Sequence, residues 1–511
     1  GSLGTLLAGF LGMRTSRTWS EQCDIPKFGP LRQDVETDVC VVGGGVAGLN
    51  VAYALAREGR RVVLLERENL GSGETGRTTA HLVTALDRGY ASLCDVLGVE
   101  RARLAAESHG RAIDFYAETC AREAIGCDFR RLDGYLFQGD GEPERFASER
   151  AAMAEVGLPG IALVAPPGWQ ADKGPCLRIP NQGELQPLQY VAGLATALAR
   201  LDGRIHEDTV VTEVHEDHVV TVGGAVVRAE AIVIATNTPI NSRFGIPLRQ
   251  AAYQTYVVAA VDETPSPVPA LYWDVEDPFH YVRSVARVGR PNVLLIGGED
   301  HKTGQDEGVS ADGRHARLEA WARRHFPDLG GLVERWSGEV MESLDGLALI
   351  GRLAPKSNVF VVSGDSGNGF THAGIAALLL PDLITGRASD LTELYDPTRL
   401  PLKALPELAR EGVNTAAQYA AWLAPSDVSA VDSIPHGGGA VVRRGVSRVA
   451  VHRDERGELH ACSAVCPHLG GIVDWNADER TWDCPCHGSR FDAFGRLLHG
   501  PANSDLPSST L

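Results

Sequence analysis

Hydrophobic and polar positions along the chain change their period several times, and each change predicts an element. Largely apolar runs at 38–42 and 61–66 are typical of parallel strands buried on both faces. Between them, apolar residues recur every three to four positions as far as Glu58, which predicts a helix. The order strand, turn, helix, strand predicts a right-handed crossover unit.

Helical and strand patterns alternate further along the chain. Residues 88–157 favour helices, and 185–201 read as another amphipathic helix. Valines alternate with polar residues over 204–222, strand patterns return at 251–300, and a last stretch of helix and strand covers 311–390. These patterns predict an α/β protein with a strand-rich second part.

Prolines and glycines punctuate residues 396–427, which predicts a linker, and the residues beyond it are strand-like and rich in glycine. We therefore expect a Rossmann-like domain with a mixed α+β substrate domain, followed by a small all-β domain. The predicted division is 1–34 as an N-terminal extension, 35–395 as the main unit with its substrate part at about 85–205 and 245–335, 396–427 as the linker and 428–511 as the all-β domain.

Charge and composition exclude several classes of protein. The chain of 511 residues carries 48 basic and 66 acidic residues, a net charge of −18, which argues against nucleic-acid binding. No window reaches the ~18 apolar residues of a membrane span. The apolar stretch from Leu3 to Leu11 lacks the charged start of a signal peptide, so we expect a cytoplasmic protein.

The turn after the first predicted strand is typical of a dinucleotide site. Gly43, Gly45 and Gly48 have the spacing at which the first glycine makes the tight turn, the second admits the pyrophosphate and the third lets helix pack on strand. Glu66 follows 21 residues after Gly45, where an acid accepts from ribose hydroxyls. Strand, helix, second strand and acid all agree with this interpretation.

Two further segments favour FAD over NAD. A second Gly/Ser/Thr-rich loop spans Gly71–His81 and supplies the additional donors that a ribityl chain needs. A later strand leads through Gly364–Thr371 into a helix whose N-terminus can stabilise negative charge on a reduced flavin. The sequence has no second glycine fingerprint for NAD(P)H.

With these motifs, residues 35–390 resemble the D-amino-acid-oxidase-like flavoenzyme superfamily. The segments 209–211 and 234–237 also occupy matching places. The resemblance implies bound FAD and oxidation of C–N bonds in amines or amino acids to imines. It implies these cofactor-binding residues: Gly43, Gly45, Val46, Ala47, Gly48, Glu66, Arg67, Gly76, Arg77, Thr78, Thr79, His81, Val211, Ala235, Thr236, Gly364, Gly367, Asn368, Gly369, Phe370 and Thr371.

His81 has two interpretations. Some relatives attach FAD covalently through a histidine in this neighbourhood, whereas a hydrogen-bonding or structural histidine is the simpler alternative.

In the same superfamily the substrate lies between the flavin and a mainly β second domain. Strand-rich residues there include Arg283 as a possible carboxylate clamp, and Tyr281 or His280 to orient an amine. The alternative is a salt bridge with core aromatics, and Tyr253 and Tyr256 are weaker candidates.

Four of the ten cysteines crowd into residues 462–486. Among them, Cys466-Pro-His468 and Cys484-Pro-Cys-His487 form the pattern C-x-H…C-x-x-H with 15 intervening residues. The pattern resembles a Rieske domain. The resemblance implies that Cys466 and Cys484 hold one iron of a [2Fe–2S] cluster and that His468 and His487 hold the other. A structural zinc site of two cysteines and two histidines is the alternative.

Two departures from the Rieske pattern and one feature that it keeps bear on the cluster. Rieske proteins of the cytochrome bc type join an additional cysteine from each loop in a disulfide. Here Cys486 is one of these two cysteines, but Gly471 occupies the position of the other, so the disulfide cannot form. Ser489 keeps a hydroxyl, whereas Phe491 replaces a tyrosine that donates to a ligating sulfur. Fewer donors favour the oxidised cluster, so we expect a potential in the lower part of the Rieske range of about −150 to +300 mV.

Together these features predict an FAD-dependent oxidoreductase of the amine or amino-acid dehydrogenase type. Electrons would pass from the flavin through the cluster to an external acceptor protein. One alternative is reversed flow, in which an outside donor reduces the cluster and FAD reduces a substrate. Another is a redox-sensing module whose cofactors do not turn over.

Overall fold

The computed structural model describes residues 16–21, 23–165, 167, 175–240, 245–263, 269–305, 309–477 and 479–510. Residues 1–15 of the predicted N-terminal extension, with the apolar stretch Leu3–Leu11, lie outside the described residues. No helix in the described ranges has the length and apolarity needed to cross a bilayer.

The described helices are α1 (Arg17–Ser20), α2 (Val46–Arg57), α3 (Tyr90–Leu97), α4 (Val99–Glu123), α5 (Pro143–Glu155), α6 (Pro187–Arg200), α7 (Ala311–His325), α8 (Gly369–Thr385), α9 (Thr392–Tyr395) and α10 (Leu405–Gln418). Single turns of 3₁₀-helix occupy Glu74–Gly76, Ile246–Leu248, Leu402–Ala404, Tyr419–Leu423 and Val431–Ser433. The strands are β1 (Val35–Val42), β2 (Val62–Leu65), β3 (His81–Leu82), β4 (Arg130–Phe137), β5 (Ala162–Val164), β6 (Cys176–Glu184), β7 (Arg204–His206), β8 (Val211–Val214), β9 (His218–Thr221), β10 (Val226–Ile234), β11 (Gln250–Asp262), β12 (Ala270–Asp274), β13 (His280–Val285), β14 (Val293–Lys302), β15 (Leu329–Ser343), β16 (Leu349–Arg352), β17 (Val359–Ser363), β18 (Gly439–Arg444), β19 (Ser447–Arg453), β20 (Leu459–Ser463), β21 (Asp474–Asn476), β22 (Thr481–Asp483), β23 (Arg490–Asp492) and β24 (Leu497–His499).

The first sheet has the strand order β16-β17-β10-β1-β2-β7, with β8 and β9 attached to β10. Strands β17, β10, β1, β2 and β7 run parallel. Along β1, Val39 and Val41 enter the core beneath α2 and α8, while Cys40 and Val42 enter a second core on the other face. Burial on both faces explains the continuous apolar run of this strand.

The second sheet has the order β15-β11-β14-β13-β12-β4-β6-β3, and α7 packs against one of its faces. Its strand β4 lies inside the stretch 88–157, where the sequence pattern favoured helices. Residues 130–137 become a strand because they pair with β6 and β12, and those partners are distant in sequence. Long-range pairing therefore overrides the local pattern here.

The C-terminal residues form two small antiparallel sheets, β18-β19-β20 and β21-β22-β23-β24. Helix α10 precedes them and has no buried residue. The predicted fold class is confirmed, since a Rossmann-like parallel sheet and a mixed second sheet are followed by an all-β unit.

Candidate functional site

The turn between β1 and α2 makes backbone contacts that only glycine permits. Gly43 has a φ of +112°, and a Cβ there would lie 2.4 Å from the carbonyl oxygen of Ala235. A Cβ on Gly48 would lie 2.0 Å from the carbonyl oxygen of Gly43, so α2 packs directly on the turn. Gly45 precedes the first helical residue and adds no side chain. The N-terminus of α2 can therefore receive an anionic group.

Glu66 follows directly after β2 and lies beside this turn. Its carboxylate accepts the N–H of Gly44 at 2.6 Å and that of Glu68 at 2.8 Å. Burial raises the pKa of this carboxyl, whereas the two N–H donors oppose the shift. The structure therefore places an acid next to the glycine turn, where the sequence pattern expected a ribose ligand.

A cavity of about 940 Å³ extends from the ends of the first sheet's parallel strands to the second sheet. Its volume lies near the upper end of the roughly 300–1,000 Å³ of small-molecule sites. The sequence-predicted cofactor residues that line it are Gly43, Gly45, Val46, Ala47, Glu66, Arg67, Arg77, Thr78, Thr79, His81, Val211, Ala235, Thr236, Gly367, Asn368, Gly369 and Phe370. Four others do not line it, namely Gly48, Gly76, Gly364 and Thr371.

Buried polar atoms in this wall lack hydrogen-bond partners within the protein. They include Nε2 of His81, Nδ2 of Asn237 and Oδ1 of Asn368. Because buried polar groups are normally paired, such atoms indicate a polar ligand along the cavity. The glycine turn, the acid and these atoms together fit FAD.

His81 contacts both the cofactor loop and the second sheet. Its Nδ1 lies 3.0 Å from Oγ1 of Thr79, and its ring meets the edge of Tyr281 at 5.7 Å between centroids. Burial, reinforced by the charge of Arg283, lowers the pKa of His81 to about 3. His81 is therefore a neutral imidazole at the cavity wall, a state that agrees with either of its two interpretations.

Strand β13 divides the three candidate catalytic residues between different environments. Tyr281 lines the cavity and its hydroxyl lies 3.1 Å from Oγ1 of Thr255. His280 points to the opposite face, where its Nδ1 lies 3.0 Å from Oδ2 of Asp274 and its ring stacks on Trp321. The prediction that His280 orients a substrate amine is therefore wrong for this structure, because alternate strand residues face opposite sides.

Arg283 does not line the cavity either. Its Nη1 donates to the carbonyl oxygens of Thr79, Ala80 and Leu185 at 2.7, 3.0 and 3.2 Å. Its Nε lies 3.2 Å from Oε2 of Glu184, and both side chains are buried. The predicted carboxylate clamp is corrected accordingly. Arg283 is a positioning residue that holds the backbone of the cofactor loop.

The sequence interpretation missed a group of acids in the cavity wall: Asp87, Asp300 and Asp365. Burial raises the pKa of Asp300 and of Asp365 to about 7. Asp87 lies close enough to the other two for their charges to add to the effect of burial, and its pKa is raised well above the ordinary value. No lysine or arginine of the described residues forms an ion pair with these three carboxyls.

A weak signal for these acids was present in the sequence. Asp300 follows Gly297-Gly298-Glu299 at the end of a predicted strand, and Asp365 lies inside the predicted flavin segment. Asp87 comes from a loop more than 200 residues earlier in the chain. Only the fold brings the three together.

The cysteine and histidine motifs meet between β20 and β23. Cys466 and Cys484 are in sulfur contact and the rings of His468 and His487 lie 4.9 Å apart, so the four residues form a thiol pair and an imidazole pair. Nε2 of His468 and both ring nitrogens of His487 have no hydrogen-bond partner in the protein. Two pairs of free ligand atoms fit a two-iron cluster with mixed ligands.

The departures from the Rieske pattern are also adjacent to these ligands. A Cβ on Gly471 would lie 2.5 Å from Sγ of Cys486, so the two disulfide positions of the pattern do meet here. All ten cysteines are free. The hydroxyl of Ser489 contacts Cys466 and accepts the N–H of Ala502 at 3.0 Å, while Phe491 is fully buried.

The loop of Cys484–Ser489 packs on the second sheet. A Cβ on Gly488 would lie 2.3 Å from Cβ of Ala252 and 3.3 Å from Oε1 of Glu339. Gln305 donates from Nε2 to the carbonyl oxygen of Pro485 at 3.1 Å. Since Glu339 also lines the large cavity, one side chain separates that cavity from the loop of His487.

The comparisons with known proteins match both sites. A family model described as FAD dependent oxidoreductase (DAO) matches residues 38–383, and a model described as Rieske [2Fe-2S] domain matches residues 424–510. The putative Rieske 2Fe-2S iron-sulfur protein YhfW of Bacillus subtilis is 30% identical over 96% of both chains. Gamma-glutamylputrescine oxidoreductase of Escherichia coli is 26% identical over 71% of this chain and 86% of its own length.

Solved structures agree with the fold of the larger part. L-proline dehydrogenase from P. horikoshii superposes with a TM-score of 0.58 at 18% identity, covering 72% of this chain and 98% of its own. Glycine oxidase from Geobacillus kaustophilus gives a TM-score of 0.57 at 24% identity, covering 72% and 99%. At these identities the likeness concerns the fold alone.

Proposed function

We propose that this chain catalyses the oxidative dehydrogenation of a C–N bond in an amine or amino acid. The chain belongs to the FAD dependent oxidoreductase (DAO) family and carries a C-terminal Rieske domain, so it binds FAD and a [2Fe–2S] cluster. The electrons leave through the cluster to an external acceptor protein. When bound, FAD supplies a two-electron acceptor for the hydride, and the cluster supplies one-electron transfer.

The residues suited to hold FAD follow from the geometry. The turn at Gly43–Gly48 and the N-terminus of α2 would receive the pyrophosphate, and Glu66 the ribose hydroxyls. His81, Asn368 and the N-terminus of α8 would surround the remaining polar part. Cys466, Cys484, His468 and His487 would hold the cluster.

The observation that carries the substrate proposal is the acid group in the cavity. With a pKa of about 7, Asp300 and Asp365 are partly ionised near neutral pH and would pair with a cationic amine, whereas Arg283 is engaged by Glu184 and by backbone carbonyls. An amine therefore fits better than the carboxylate of an amino acid. The name of the similar gamma-glutamylputrescine oxidoreductase indicates the same class of substrate for that protein.

Asp300 has the right ionisation to prepare such an amine. With a pKa of about 7, its carboxylate can take a proton from a bound ammonium group near neutral pH. The neutral amine then has the nitrogen lone pair that assists loss of hydride from the adjacent carbon and becomes the imine. Tyr281 and Thr255 lie beside Asp300 and would orient the nitrogen.

The contact between the two parts of the chain supports electron transfer between flavin and cluster, and the direction is left to the experiment below. His487 is 6% exposed and its neighbour Gly488 packs against the second sheet, whereas Leu469, next to His468, is 52% exposed. One histidine ligand is thus directed to the FAD domain, and the other lies near a surface that an acceptor protein can reach.

Anaerobic mixing tests both the chemistry and the direction. The protein is mixed with secondary amines, N-methyl amines, diamines and amino acids, with NADH and reduced ferredoxin as controls, while flavin absorbance and the cluster's EPR signal are followed. We expect an amine to bleach the flavin before the Rieske signal grows. Bleaching by the ferredoxin or NADH alone would establish inward flow, and absence of steady turnover with any acceptor would favour a sensing module.

Two variants separate the half-reactions. Cys466→Ser should lose the Rieske signal and steady turnover with one-electron acceptors but keep amine-dependent flavin bleaching. Cys462→Ser changes a buried cysteine of the same domain that is not a cluster ligand. This variant should keep the Rieske signal, the steady turnover and the amine-dependent flavin bleaching. Undiminished turnover of Cys466→Ser with one-electron acceptors would contradict the outlet role of the cluster.

A further inference from the structure

Part of the wall of the FAD cavity comes from the Rieske domain. The terminal segment, defined as residues 496–505, contributes nine residues to the lining: Arg496, Leu497, Leu498, His499, Gly500, Ala502, Asn503, Ser504 and Asp505. These residues face the same cavity as the glycine turn and Glu66. Without the docked Rieske domain, this side of the FAD site would lack its cover.

Two arginines of the cofactor-binding segments are held by the Rieske domain. Arg67, directly after Glu66, donates to the carbonyl oxygens of Leu497 and Leu498. Arg77, in the loop Gly71–His81, lies 3.5 Å from Oε2 of Glu479. The positions of both cofactor segments therefore depend on groups of the other domain.

His499 makes a third connection. Its Nε2 lies 3.5 Å from Oε1 of Glu74, and its Nδ1 lies 3.5 Å from Oε1 of Glu339. Glu74 belongs to the cofactor loop, and its other oxygen accepts the N–H of Glu339 at 2.7 Å. All three side chains line the cavity. The imidazole of the terminal segment thus packs between a carboxylate of the cofactor loop and one of the second sheet.

Contacts away from the cavity fix the same docking. Ala252 meets the backbone of Gly488, Gln305 binds the carbonyl of Pro485, and Ser337 donates to Glu479 at 2.5 Å. Ala252 and Glu479 do not line the cavity, but Glu479 also holds Arg77, which does, so only a change at Ala252 alters docking without touching a residue of the FAD site.

We propose that the Rieske domain is a structural part of the FAD site, and that its docking and FAD binding are thermodynamically coupled through the terminal segment. Each event then favours the other by the same factor, as linkage requires. The linker keeps the Rieske domain at a high local concentration beside the FAD domain, so the two dock within one chain. The electron outlet is consequently in place whenever FAD is tightly bound.

Titration of the FAD-stripped full-length protein with FAD tests the coupling. Flavin fluorescence gives the Kd, and the Rieske EPR signal checks that each variant keeps its folded cluster domain. Glu479→Gln and Ala252→Leu should weaken FAD binding at least tenfold. Asp432→Asn removes a carboxylate that pairs with Arg453 on the exposed face of the same domain, and its Kd should stay within twofold of the wild type. A Kd of Ala252→Leu within twofold of the wild type would overturn the proposal, whatever the Kd of Glu479→Gln, because Glu479 also acts on the FAD site through Arg77.

The wild-type chain supplies a second measurement that needs no variant. With the cluster loaded, FAD should slow amide hydrogen exchange at least fivefold in residues 484–490, which belong to the docking loop and do not line the cavity. Exchange in that loop that is unchanged by FAD would contradict the coupling. Both readouts are independent of which amine, if any, reduces the flavin.

Discussion

Nε of Arg283 lies 3.2 Å from Oε2 of Glu184, and neither side chain reaches the solvent. Nη1 of the arginine donates to the carbonyl oxygens of Thr79 and Ala80 in the cofactor loop. The pair thus joins strands β13 and β6 to the segment that carries His81. A residue with the chemistry of a substrate clamp has become part of the support for the cofactor.

Replacement of Arg283 should therefore act on stability and FAD retention. Arg283→Gln removes one of the two arginines that pair with the buried Glu184, while Arg130 keeps its contact with Oε1, so the loss of stability should be at most about 3–5 kcal/mol, the cost of a fully broken buried pair. We expect a lower apparent Tm and loss of FAD on gel filtration, with KM values for amines with and without a carboxylate shifting alike. Arg131→Gln, which breaks a pair of exposed side chains with Asp114, should cost less than about 1 kcal/mol. A rise in KM confined to carboxylate substrates would instead show that Arg283 binds the substrate carboxylate.

Asp300 should impose a pH dependence on amine oxidation. Its pKa of about 7 is raised by burial, and the carboxylate is the form that accepts a proton. The value of kcat/KM should thus increase about tenfold per pH unit below pH 7 and flatten above it. Asp300→Asn should lower kcat/KM by roughly 10²–10⁴-fold and remove this increase.

The control for Asp300 is Asp133→Asn, since Asp133 pairs with Arg178 outside the cavity. This variant should keep the wild-type pH profile. If the pH profile of kcat/KM is unaltered in Asp300→Asn, another group must act as the base.

Gly43→Ala should abolish FAD binding. The new Cβ would lie 2.4 Å from the carbonyl oxygen of Ala235, and the φ of +112° is strained for alanine. Gly59→Ala offers a matched control, because Gly59 also has a positive φ of +81° but its Cβ would meet no atom within 4 Å. Flavin absorbance after purification should be lost in the first variant and retained in the second. Equal flavin content in the two variants would contradict this role of Gly43.

Ser489 should raise the potential of the cluster through its contact with Cys466. A hydroxyl that donates to a ligating sulfur stabilises the reduced cluster, so Ser489→Ala should lower the midpoint potential. The wild-type potential should itself lie in the lower part of the range of about −150 to +300 mV, because Phe491 supplies no hydroxyl. An EPR-monitored redox titration measures both values, with the exposed Ser447→Ala as control. A higher potential in Ser489→Ala would reverse the assigned role of its hydroxyl.

The sequence alone was sufficient to predict the FAD turn and the cluster ligands, because the parts of each lie close together along the chain. The glycine turn joins β1 to α2, and Glu66 follows β2, so a single crossover unit brings them together. Cys466 with His468 and Cys484 with His487 are similarly spaced within short loops. Local connectivity restricts such groups to a few arrangements, which is why FAD and the cluster were predictable from residue types and spacing.

Tertiary structure decided everything that depends on which surfaces meet. A period of two along β13 shows that Tyr281 and His280 face opposite sides, but only pairing with β12 and β14 decides which side meets the cavity. Asp87 and Asp300 converge because distant segments pack together, and residues 496–505 reach the FAD cavity because the C-terminal domain docks there. Such contacts arise from long-range burial and pairing, and the short-range pattern of a sequence carries no record of them.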